Sequence, residues 1–111
     1  MDKESLTEKL LDLVEGRETP ESWRNWWDEH ETELEALLSR GEFLKLKPCR
    51  HGFQWVPVFG SQKRAIAILE KSGTAFEASN LYQERYLAEL DAFCKEQERV
   101  QRKKQKEFKA N

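Results

Sequence analysis

Cysteine, glycine and long apolar runs are all scarce in this chain, and each scarcity excludes a class of protein. Cys49 and Cys94 are the only cysteines, and their wide separation fits neither a disulfide framework nor a zinc-knuckle spacing. Reduced thiols are the expectation. The five glycines never fall into a Gly-x-Gly-x-x-Gly or Walker pattern, so no phosphate-cradling loop is written in the chain. Apolar residues come in short pieces broken by charges, far below the roughly 20 consecutive residues that span a bilayer. The start, Met1-Asp2-Lys3-Glu4-Ser5, has neither the basic opening nor the apolar core of a secretory signal. The expected setting is the cytoplasm, without a membrane partner. No internal repeat is visible.

What remains is 111 residues with a hydrophobic fraction of 38%, enough for one modest core. Net charge is only −2 but unevenly spread: residues 1–40 hold twelve acids and five bases, and the remainder nine acids and fourteen bases. A front near −7 and a back near +5 suit two arrangements, mutual packing of the two parts or two poles that face partners.

The strongest pattern lies between Pro20 and Gly41, where Trp23, Trp26, Trp27, His30, Leu34, Leu37 and Leu38 recur at three- and four-residue intervals with acids between them. This predicts a single helix with a heavy apolar stripe. Thr19 is its N-cap, Pro20 its first position and Gly41 its stop. Before it, a possible capping box at Ser5-Leu6-Thr7-Glu8 and the stripe Leu6, Leu10, Leu13, Val14, closed by Gly16, predict a short first helix.

After Gly41 the pattern changes. Phe43-Leu44-Lys45-Leu46-Lys47 alternates like a half-buried strand, and Phe53-Gln54-Trp55-Val56-Pro57-Val58-Phe59 is aromatic and β-branched. With turn-like residues 48–52 between them, the two predict a β-hairpin whose second strand is an edge at Pro57. Gly60 and Ser61 break that strand, and Ser61 caps a helix from Gln62 to Ser72 that Gly73 ends. A last helix starts at Ser79 with Tyr82, Tyr86, Leu87, Leu90, Phe93 and Cys94 on its buried side. Beyond Lys95 the apolar stripe gives out and a Lys/Arg/Gln/Glu-rich arm follows.

The expected fold is therefore α+β: four helices packed on a small antiparallel β-hairpin in the order α-α-β-β-α-α, with a compact domain over 1–95 and a charged helical arm or frayed tail over 96–111. Self-association is expected to be absent or weak, through the open edge of the hairpin.

Five groups of residues are candidates for function. The aromatic set Trp23, Trp26, Trp27, Phe53, Trp55 and Phe59 is first of all core material, yet adjacent indoles differ by about 100° around a helix and cannot all point inward. Trp26 is thus a candidate interface anchor. The acids Asp28, Glu29, Glu31, Glu33 and Glu35 form like-charge pairs four apart, Glu29 with Glu33 and Glu31 with Glu35, and a basic surface would relieve them. The basic arm, with Arg99, Arg102, Lys103 and Lys106 at its centre, could hold nucleic acid in a salt-dependent way, although Glu96, Glu98 and Glu107 dilute it. Cys49, His51, His30 and Cys94 could supply a zinc site only by converging in space. The run Gln62 to Gln83 imitates a helix-turn-helix but lacks phosphate-contacting bases at its second helix.

No catalytic, cofactor-binding or metal-ligating residue is assigned, and no cofactor is expected. The reading is a small non-enzymatic interaction module, an inhibitor or immunity-like binder that presents an acidic helix to a basic protein partner through Asp28, Glu31, Glu35 and Trp26. The alternative is a nucleic-acid-associated accessory protein that works through Arg99, Arg102, Lys103 and Lys106.

Overall fold

Helix begins almost at once, because Asp2 lies in extended backbone and its carboxylate accepts the Ser5 N–H at 2.8 Å. That hydrogen bond holds the Asp2 carboxyl below its ordinary range. The cap opens α1 (Lys3–Val14), three residues earlier than the Ser5 box suggests. In the computed structural model, which describes residues 1–109 with side chains through Val100, four more helices follow. They are α2 (Pro20–Leu37), α3 (Arg40–Leu46), α4 (Val56–Ser72) and α5 (Leu81–Lys109).

No strand occurs among the described residues, so the expected α+β fold with its β-hairpin is corrected to an all-helical one. The physical reasons are local. Ser39 accepts the Glu42 N–H at 3.2 Å and starts α3 ahead of Phe43–Lys47, the expected first strand, so that the helix runs through it to Leu46. Phe43 and Leu46, three apart, are then the buried pair, while Leu44 is 58% exposed. A strand would have set Leu44 beside Leu46 on one face and Phe43 beside Lys45 and Lys47 on the other. Pro57 belongs to the first turn of α4, where its missing N–H costs nothing. Its role is to start a helix, not to end a ladder. With the hairpin goes the open edge on which a weak homodimer was expected.

Two boundaries also move. The tryptophan helix stops at Leu37, with Leu38 extended and Ser39 recapping the chain, so Gly41 sits inside α3. Gly60 and Ser61 sit inside α4, which therefore begins six residues ahead of Gln62. Gly73 does end α4, at φ +73° in the left-handed region.

α4 is the central element, in contact with α1, α2, α3 and α5. Its inward positions are Val58, Ser61, Gln62, Ala65 and Leu69, the three- and four-residue spacing of one helix face. Leu6, Leu10, Leu13 and Val14 of α1, Trp23, Trp27 and Leu34 of α2, Phe43 and Leu46 of α3 and Tyr82 of α5 complete the core. Trp23 and Trp27 are fully buried, and each such ring removes roughly 150–250 Å² from water.

Polar residues inside this core are bonded across the chain. Ser61 Oγ donates to the Leu46 carbonyl at 2.6 Å, which ties α3 to α4. Gln62 Nε2 donates to the carbonyls of Val14 and Ser79, both at 2.9 Å. The Ser79 N–H reaches the same Val14 carbonyl at 2.9 Å. Tyr82 Oη accepts the Glu18 N–H at 2.9 Å, and the Glu18 carboxylate meets Lys9 and accepts from Ser22 Oγ at 2.6 Å.

α5 is held only near its start. Tyr82 is buried and Tyr86 and Leu90 are half-buried, but Leu87, Phe93 and Cys94, expected on the buried side, are exposed. The last hydrogen-bonded tie to the body among the described residues is Glu89, whose two carboxylate oxygens accept the N–H groups of Gln54 and Trp55 at 2.7 Å each. α4 has no side-chain cap from its own start, so this distant carboxylate does that work.

Gly16 turns the chain at φ +82°, and a Cβ placed there would lie 2.7 Å from Ser79 Oγ. Gly73 is also left-handed but has open space around it. Gly16→Ala is expected to cost about 2 kcal/mol or more in urea unfolding and Gly73→Ala about 1 kcal/mol. Equal losses would show that the approach of Ser79 to Gly16 carries no weight.

Burial pushes the Tyr82 hydroxyl up to about 12, with the nearby Glu18 and Asp12 charges adding to the effect. A raised pKa in the folded state favours the neutral phenol, so this contribution is intact below the unfolded value near 10 and is lost as pH rises toward 12. Thermal melts of the wild type should fall in Tm across that window more steeply than those of Tyr82→Phe. Parallel curves would remove the effect.

Candidate functional site

α2 divides its side chains between two environments. Trp23 and Trp27 go inward, and Trp26, about 100° from Trp27, stays half-buried. Trp26 stacks on Trp23 with ring centroids 5.3 Å apart and lies 5.0 Å from the His30 ring. Lys9 Nζ stands 5.3 Å from its centroid, within the range of a cation–π contact. His30 Nδ1 bonds to the Trp26 carbonyl at 2.9 Å, so this ring is engaged by its own helix.

Asp28, Glu29, Glu33 and Glu35 are exposed on the remaining surface of α2, with Glu31 half-buried among them. Lys47, beyond the end of α3, reaches Glu31 at 2.9 Å, and the Met1 amino group reaches Glu33 at 3.1 Å. Asp28, Glu29 and Glu35 make no ion pair among the described residues.

A cleft of about 430 Å³ opens between α2 and the chain that leaves α3. Trp27, Leu44 and Pro48 give it an apolar lining, Asp28 and Glu31 its acids, and Arg24, Lys47 and Arg50 its bases. Arg24 donates to the Cys49 carbonyl at 3.2 Å and fastens the 48–50 segment to α2. A second groove, about 300 Å³, is lined by Glu35, Arg40, Phe43 and Leu44. Leu44 is common to both, so the two depressions adjoin.

The structure therefore gathers Asp28 and Glu31 in one cleft and sets Glu35 in the groove beside it. Trp26 does not join them, because it turns toward Lys9 of α1 instead. Arg24, Leu44, Lys47, Pro48 and Arg50 were missed by sequence reasoning. Their signal was hidden once 43–47 was taken as a strand, since only a helical 40–46 turns Leu44 toward α2's acids.

The other candidates are dispersed. Arg99 is exposed and pairs with Glu96 at 2.8 Å, while the side chains of Arg102, Lys103 and Lys106 lie outside the described residues. Cys49 and Cys94 are free, exposed thiols, and His51 Nδ1 is occupied by the Phe53 N–H at 3.0 Å. No cluster of three or more His, Cys, Asp or Glu side chains suited to a metal occurs among the described residues. Phe53, Trp55 and Phe59 belong to a separate aromatic set with Tyr82, Tyr86 and Phe93, linked by centroid distances of 5.4–6.3 Å. No described helix is long and apolar enough to cross a membrane.

Comparison with protein-family models, curated proteins and solved structures found no match for this chain.

The Lys47–Glu31 pair is open to water on both sides, with side-chain exposures of 45% and 40%. Lys47→Ala should therefore shift unfolding by less than about 1 kcal/mol. A loss above about 2 kcal/mol in urea denaturation would mean that this pair holds α3 against α2 and that the cleft is structural.

Proposed function

We propose that this protein is a small non-enzymatic interaction module, of the inhibitor or immunity-like kind, that presents the acidic surface of α2 to a basic protein partner in the cytoplasm. The observation that carries the reading is how few charges cancel inside the chain. Of the ion pairs among the described residues, Lys47–Glu31 joins an acid of residues 1–40 to a base beyond them. The front's other pairs, Lys9–Glu18, Arg17–Asp12, Arg17–Glu15 and Met1–Glu33, and the back's Lys95–Asp91 and Arg99–Glu96, stay within their own parts. The front's excess of acid is thus left facing solvent, where it steers a basic partner at long range.

The adjoining cleft and groove supply what charge alone lacks. Leu44, at 58% exposure, and the half-buried Pro48 are apolar contacts beside Asp28, Glu31 and Glu35. Such an apolar centre with a charged rim is the usual anatomy of a binding face.

Asp28→Lys, Glu31→Lys and Glu35→Lys combined should abolish capture of the basic partner from cell extract while leaving the helical circular dichroism intact. The wild-type complex should weaken as salt rises. A partner retained equally by both proteins would end this reading.

A further inference from the structure

Lys47 is held in place by its neighbours more than by its own ion pair. It is the C-cap of α3, with its backbone N–H bonded to the Phe43 carbonyl at 3.0 Å. The chain is pinned on either side of it, by Ser61 Oγ at the Leu46 carbonyl, 2.6 Å, and by Arg24 at the Cys49 carbonyl, 3.2 Å. The cleft beside α2 therefore keeps its walls without help from the Lys47 side chain. That side chain nonetheless lines the cleft, with Nζ 2.9 Å from Glu31 Oε1 and 6.0 Å from the Phe43 ring centroid.

A pair open to water on both sides contributes little to stability, but it does occupy an acid. Of the two carboxylates in the cleft, Glu31 has this ionic partner and Asp28 has none among the described residues. The same lysine sets the charge that an incoming group meets. With Lys47 on Glu31 the lining holds three bases, Arg24, Lys47 and Arg50, against two acids, Asp28 and Glu31, a balance that opposes a cation arriving from solvent. With the Lys47 side chain swung out, two bases face two acids and the Glu31 carboxylate is open. Arg24 is meanwhile turned to the Cys49 carbonyl.

We infer that Lys47 is an internal competitor for the partner's basic side chain: its ammonium group sits on Glu31 in the free protein, and a cationic side chain of the partner displaces it to enter the cleft. This rests on the acidic face of α2 being the partner surface and adds the contact that restrains it. Lys47 suits displacement because it stands beyond the last residue of α3 and is exposed, so its side chain leaves without breaking a helical or backbone bond. The partner must overcome the stability of the internal pair. The free protein therefore binds less tightly, by about two- to fivefold, than one whose Glu31 is unoccupied.

The test uses the full chain and a hexalysine peptide blocked at both ends, titrated by calorimetry at low salt. Lys47→Gln keeps much of the side-chain stem and removes the charge, and it should bind the peptide about two- to fivefold more tightly than the wild type. Lys45→Gln, on the same helix but not part of the cleft lining, loses the same charge and should gain less. In a Glu31→Gln background the advantage of Lys47→Gln over Lys45→Gln should vanish, because no carboxylate is left to compete for. Equal gains from the two lysine variants, or an advantage that survives Glu31→Gln, would overturn the competition while leaving the acidic face as the partner surface. Peptide binding that is undetectable in both the wild type and Lys47→Gln, or that is retained when Asp28→Lys, Glu31→Lys and Glu35→Lys are combined, would overturn both.

Discussion

The Val14 carbonyl is the point on which the fold turns. It ends α1 in the core, where an unpaired carbonyl would cost on the order of 1–3 kcal/mol, and it accepts both Gln62 Nε2 and the Ser79 N–H at 2.9 Å. Gln62 completes the arrangement by donating to the Ser79 carbonyl as well. One side chain thus fixes the end of α1, the middle of α4 and the approach to α5 relative to one another. Gly16 follows from this constraint, since the chain must turn sharply just past Val14 while Ser79 presses against it. Tyr82 follows too: with Ser79 pinned, the first turn of α5 places its hydroxyl against the Glu18 N–H. Glu18 then holds Ser22, so the start of α2 is set by the same network.

Once α1, α4 and the start of α2 are placed, the two inward indoles decide what faces out. Trp23 and Trp27 are one helical turn apart and fill the core together, with Trp27 also against Phe43 at 5.3 Å. Their burial commits the opposite side of α2 to solvent, and that side is where the sequence stores acid. Capping supports this division. Thr19 and Ser22 satisfy one another's backbone N–H groups at 3.0 and 2.9 Å, so the helix start needs no acid from the exposed face. Asp28, Glu29 and Glu35 make no ion pair among the described residues, which distinguishes them from Glu18 with its Lys9 and Ser22 partners.

How much could be read beforehand follows from which signals were local. α1, the start of α2 and the end of α4 were legible, because Leu6–Leu10–Leu13–Val14, Thr19–Pro20 and Gly73 act through their immediate neighbours. The region 43–59 was not. Phe-Leu-Lys-Leu-Lys satisfies a two-residue period, yet Phe43 and Leu46 satisfy a three-residue one equally well, and the Ser39 cap decided between them. Gln62 was read as the opening of a helix although it is its buried centre, since a polar residue in a core position carries no apolar signal. Glu89 was invisible for a further reason: its partners, the N–H groups of Gln54 and Trp55, are reached only through tertiary structure. At the site, the spacing of three and four between Asp28, Glu31 and Glu35 places them along one side of α2, where the first two line the cleft and the third the adjoining groove. Trp26, singled out because adjacent indoles cannot all point inward, is half-buried, and about 200° of helix separates it from Asp28.

The same contrast between local and distant pairing explains the molecule's two charged ends. Lys9, Arg17, Lys95 and Arg99 answer acids on their own or adjoining segments, which costs little chain entropy and leaves the larger imbalance untouched. The bases of the back are spread over α3, α4, α5 and the segments between them, and of these Lys47 alone pairs with an acid of α2 among the described residues. Within the back, Glu89 binds the backbone N–H groups of Gln54 and Trp55.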